Sequence, residues 1–111
     1  MNNVCFVCLN KCKEEEKLLF VRCDCAKCGK YAYEKNFVTS YEYYKSAFDI
    51  KKVQKLEQTI KKIIKKGNVC FVDDAETSLV EGYKLLEFRD ILNIAGLDLA
   101  HNNTIDSNWK D

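Results

Sequence analysis

Proline is absent from this chain, and glycine (4), histidine (1), methionine (1) and tryptophan (1) are scarce. Without proline, and without any Pro/Gly/Ser-rich stretch, nothing marks a linker. The 111 residues read as one domain, or one domain with a small lobe attached. No internal repeat is present. The single histidine, His101, would have to serve alone in any Cys–His pair. No glycine-rich phosphate loop, G-x-S-x-G or H-E-x-x-H occurs either. The reading is of a protein that is not an enzyme and takes no small-molecule substrate. Charge of one sign is also missing. Lys and Arg number 18 against 17 Asp and Glu, so no global basic field calls for nucleic acid. No apolar run approaches the roughly 18 residues of a membrane span. The opening residues, MNNVCFVCLNK, lack a basic start, a long apolar run and a cleavage site. A cytoplasmic location without a signal peptide is the expectation, and disulfides are rare there.

Cysteine, by contrast, is abundant. Six of the seven cysteines lie between Cys5 and Cys28. Cys5-Phe-Val-Cys8 and Cys25-Ala-Lys-Cys28 form two C-x2-C pairs, a spacing used for zinc. Two thiolates three positions apart reach one ion when the chain turns sharply around it, and two such turns supply four sulfurs. Gly29 follows the second pair where a turn calls for positive φ; Asn10 is the candidate for the same role after the first. Lys13–Lys17 reads as a charged loop, Leu18–Cys23 as a strand, and Tyr31–Tyr33 as the returning strand. Cys12 and Cys23 remain as possible alternative metal ligands, for instance Cys12 in place of Cys5 or Cys23 in place of Cys25. Four thiolates can also hold iron. Cys70, in NVCFV, reads as a buried strand residue.

Residues 5–33 resemble the zinc-ribbon superfamily in its C-x-x-C…C-x-x-C-G-x-Y form, most closely over CAKCGKYAY. The resemblance covers about a quarter of the chain. It implies a structural zinc ion on Cys5, Cys8, Cys25 and Cys28 and a β-hairpin scaffold, and it implies no particular activity. Four thiolates leave no coordination position for water, so such an ion would be structural. Zinc-finger peptides bind their ion with about 10–16 kcal/mol, so its removal should unfold at least the first third of the chain.

The remainder reads as mainly helical. Thr39 and Glu42 form a capping box, and Tyr41, Tyr44 and Phe48 then share one helical face that packs on the ribbon, with Tyr43 off it. Asp49–Lys66 carries an apolar stripe of Ile50, Val53, Leu56, Ile60, Ile63 and Ile64, ending at Gly67. Lys51, Lys52, Lys55, Lys61, Lys62, Lys65 and Lys66 lie on its other side. Val69–Val72 reads as a short buried strand, and Asp73–Glu76 as a turn or helix start. A further helix over 79–95 is expected. The other reading of that stretch is a hairpin turning at Glu81-Gly82, with a helix only from about Glu87.

The expected fold is α+β: a zinc-ribbon lobe (1–35) packed on a mainly helical part of the same domain (36–97) with one or two short strands, then a polar tail (98–111). The expected function is a non-catalytic zinc protein that binds a protein partner and modulates or inhibits it. Its composition resembles that of small accessory proteins of AT-rich bacteria and their phages, and an anti-CRISPR-like inhibitor is one form this would take. The alternative is RNA or DNA binding through Lys51, Lys52, Lys55, Lys62 and Lys66 with the ribbon, and Tyr43 as a further contact for nucleic acid or partner.

Overall fold

In the computed structural model, which describes residues 4–76 and 80–97, the chain is a mixed α+β fold. The order is β1 (Lys13–Glu16), β2 (Val21–Cys25), β3 (Gly29–Tyr33), α1 (Lys35–Ala47), α2 (Ile50–Lys66), β4 (Val69–Phe71), β5 (Lys84–Leu86) and α3 (Phe88–Ala95). The strands form one sheet in the order β1-β2-β3-β4-β5. β1, β2 and β3 are antiparallel, whereas β4 joins β3 in parallel and β5 joins β4 in parallel. The hairpin strands and the short later strands thus share a single hydrogen-bonded layer.

Alternation explains β2: Val21, Cys23 and Cys25 are buried while Arg22 and Asp24 face water. The strand starts later than the apolar run suggests. Leu18 and Leu19 sit in the turn after β1, exposed at 97% and 51%. Strand geometry sends alternate residues to opposite faces, so the consecutive run Leu18-Leu19-Phe20 cannot all turn inward.

α1 also starts earlier than the capping-box reading places it. Glu34 precedes its first turn, and Thr39 lies inside the helix with its hydroxyl donating to the Lys35 carbonyl. The earlier start adds Phe37 to the buried face with Tyr41, and Tyr44 and Phe48 pack against the same core. α2 is capped by Asp49, whose carboxylate accepts from the Lys52 N–H at 2.9 Å. Leu56, Ile60, Ile63 and Ile64 form its buried stripe. Ile50 is 68% exposed; at 3.6 residues per turn it lies roughly a quarter-turn from the middle of that stripe. Of the expected helix over 79–95, only the part from Phe88 is helical among the described residues. A turn at Glu81-Gly82 and β5 precede it, and reciprocal hydrogen bonds between Glu87 and Asp90 cap it. Ser78 and the 98–111 tail lie outside the described residues.

The three helices cover one face of the sheet, where Cys23, Cys25, Tyr31, Phe71 and Leu86 meet Phe37, Leu56, Ile60 and Ile91. The other face carries a smaller cluster of Ala32, Cys70, Val72 and Val80 with Phe20 and Tyr83 against it.

Candidate metal centre

The two C-x2-C pairs meet at one end of the sheet. The sulfurs of Cys5, Cys8, Cys25 and Cys28 all lie within 4.8 Å of one another. Cys5 and Cys28 are 3.9 Å apart and Cys8 and Cys25 are 3.5 Å apart, sulfur to sulfur. A tetrahedral ion with metal–sulfur bonds of about 2.3 Å requires sulfur–sulfur edges of about 3.8 Å. The donor set and its spacing therefore fit a four-thiolate metal centre.

Each pair sits in a tight backbone turn. In the first, the Leu9 N–H donates to the Cys5 carbonyl (2.8 Å) and the Cys5 N–H to the Asn10 carbonyl (2.9 Å). The positive φ falls on Leu9 (62°) rather than on Asn10. Asn10 instead donates its side-chain amide to the Cys8 carbonyl. In the second turn, the Cys28 N–H donates to Cys25 Sγ at 3.4 Å. Gly29 follows at φ 113°, and a Cβ there would meet Ile64 Cγ2 at 3.3 Å. Positive φ and the nearness of α2 both call for glycine at this position.

The residues between Cys5 and Cys8 anchor the centre in the core. Phe6 and Val7 are buried, and the Phe6 ring packs edge-on against Tyr31, Tyr41 and Phe71 at 5.3–5.9 Å. Sequence spacing assigned these two positions no role. Their only signal was that both loop positions are large and apolar, which is unfavourable in an exposed turn.

Protonation in the centre is uneven. Hydrogen bonding from Cys23 is the main influence lowering the Cys5 thiol to about 4, with Tyr31 adding to it. The Tyr31 hydroxyl lies 3.0 Å from Cys5 Sγ. Burial pushes Cys25 and Cys28 above the ordinary thiol value, and neighbouring sulfurs add to the effect. Burial pushes Cys8 up, but hydrogen bonds with Asn10 and the neighbouring sulfurs outweigh it and leave this thiol lowered as well, and thiolates gathered this closely repel one another unless a cation neutralises them.

Cys12 and Cys23 do not enter the four-sulfur group. They lie 3.1 Å from each other and form a separate cluster with Glu14. Cys70 is fully buried in β4, and burial raises its thiol to about 12, which leaves it unreactive. Lys51, Lys55, Lys62 and Lys66 are exposed on α2 and Lys52 is half-buried. Tyr43 is 70% exposed on α1. The structure does not bring these residues to the cysteines. The lysines that border the centre are Lys27, Lys61 and Lys65, which line a cavity of about 360 Å³ with Cys8, Cys28 and Glu57. Among the described residues no helix is long and apolar enough to cross a membrane.

No family model, curated protein or solved structure matches the chain.

Proposed function

We propose that the four-cysteine centre holds one structural zinc ion and that the protein is a non-catalytic binder that modulates a protein partner. Four thiolates complete the coordination of a tetrahedral ion, which supports a scaffold role over catalysis at that ion. The observation that carries the binding reading is the tip of the β1–β2 hairpin. Leu18 and Leu19 stand adjacent and exposed there, on a hairpin that also carries Cys25. Rigid presentation of apolar side chains lowers the ordering cost of association. The test compares the full chain with Leu18→Asp/Leu19→Asp in affinity purification from its native cells, followed by mass spectrometry and reconstitution with the purified candidate. A partner bound by the native chain in reconstitution and lost with the double variant, at unchanged metal content, supports the reading. Equal recovery of the same proteins by both would refute it.

A second reading, nucleic-acid binding, is favoured by the exposed lysines of α2. Among the described residues no carboxylate lies within ion-pair distance of Lys51, Lys55, Lys62 or Lys66. A mobility-shift assay at graded salt separates the readings. Phosphate contacts give affinity that falls steeply with salt, and no binding at low salt removes this reading.

A further inference from the structure

Strand register places a second group of metal-binding side chains beside the first. Glu14 stands directly opposite Cys23 in the β1–β2 ladder, and Cys12, the residue before β1, has its sulfur 3.1 Å from that of Cys23. Cys12 and Glu14 thus flank Cys23. Their donor atoms lie within 4.8 Å of one another. The Tyr33 hydroxyl donates to Glu14 Oε2 at 2.7 Å and holds the carboxylate in place. Metal sites use such outer hydrogen bonds to orient their ligands. Cys23 is buried, Cys12 and Glu14 are half-buried, and a shallow cavity of about 430 Å³ lined by Lys11, Cys12, Lys13, Asp24 and Ala26 opens Cys12 to solvent.

We propose that Cys12, Glu14 and Cys23 form a second metal site, distinct from the four-cysteine centre, that takes zinc or a similar thiophilic divalent ion. Two thiolates and one carboxylate provide three ligands, and the fourth position is left to water or an external ligand. Binding displaces the Cys12 and Cys23 thiol protons to solvent, as thiolate coordination requires. This separates the site from the first one, whose four protein sulfurs complete the coordination. It also gives Cys12 and Cys23, two of the three cysteines outside the C-x2-C pairs, a shared chemical role.

The experiment loads the reduced, metal-free full chain with zinc or cobalt and counts bound ions by native mass spectrometry, with cobalt absorption reporting thiolate ligation. About two ions per chain are expected. Cys12→Ser and, as a variant that keeps every cysteine, Glu14→Gln should each weaken the second ion by roughly tenfold or more while leaving the first bound. Tyr33→Phe should weaken the second ion to a similar or smaller extent through loss of the orienting hydrogen bond. Cys28→Ser should instead remove the first ion, so failure of either site is seen separately. A native chain that binds one ion under reducing conditions overturns the proposal. So does a second ion unaffected by both Cys12→Ser and Glu14→Gln. A Cys12–Cys23 disulfide that persists in reductant, detected as a mass lower by the two thiol hydrogens, overturns it as well.

Discussion

At the residue scale, the four thiols of the first centre differ in how readily they lose a proton. Hydrogen bonding with Cys23 and Tyr31 holds Cys5 well below the ordinary thiol range, whereas burial raises Cys25 and Cys28 above it, so these two keep their protons at neutral pH. A metal ion needs all four as thiolates, so binding near neutral pH must expel protons from at least Cys25 and Cys28. Metal affinity should therefore rise with pH across the neutral range, by about two decades per pH unit or more, in a chelator competition run at several pH values. A flat profile would contradict this assignment. Tyr41 offers a separate residue-scale test. Its hydroxyl is buried and has no hydrogen-bond partner among the described residues. Tyr41→Phe removes that unsatisfied group and should stabilise the protein by about 1 kcal/mol in urea unfolding.

At the scale of elements, the first cysteine turn belongs to the core as much as to the metal centre. Phe6 penetrates among rings from β3, α1 and β4. Phe6→Ala should cost about 3–5 kcal/mol and weaken metal binding with it, because the turn that carries Cys5 and Cys8 loses its anchor. Equilibrium unfolding of the metal-loaded and metal-free forms measures both effects. Spacing arguments do not reach Phe6, since its partners come from Tyr31 to Phe71 along the chain. The α2 stripe was legible because its signal repeats within a few residues. The start of α1 was not, because Glu34 makes no side-chain cap bond and the capping-box pattern at Thr39 pointed one turn too late.

At the scale of the whole molecule, the shared sheet changes what metal loss should do. The binding energy of a structural zinc ion implies unfolding of at least the first third. In the structure β3 pairs with β4, and β4 with β5, so the hairpin beside the cysteine cluster is one edge of the only sheet among the described residues. Ile64 of α2 lies against Gly29, directly beside Cys28. Chelation should therefore lower the thermal midpoint of the whole fold in a single transition, with helical and aromatic circular-dichroism signals lost together. Free zinc in excess should raise that midpoint with the logarithm of its concentration. Retention of the helical signal after the aromatic signal has gone would separate the helices from the ribbon.

The sequence by itself determined the two C-x2-C pairs, the positive-φ glycine after the second, the long amphipathic helix and the buried character of Cys70, while the grouping of those four sulfurs apart from Cys12 and Cys23 came from the structure. Each is a short-range property: ligand spacing within a turn, helical periodicity, or a run of apolar side chains. Only the tertiary structure decided that Glu14 faces Cys23, that Phe6 fills the core, and that Ala32 pairs with Cys70 to join the two halves of the sheet. These depend on strand register and on contacts between distant segments. A register shift of one residue would turn the same side chains to the opposite face.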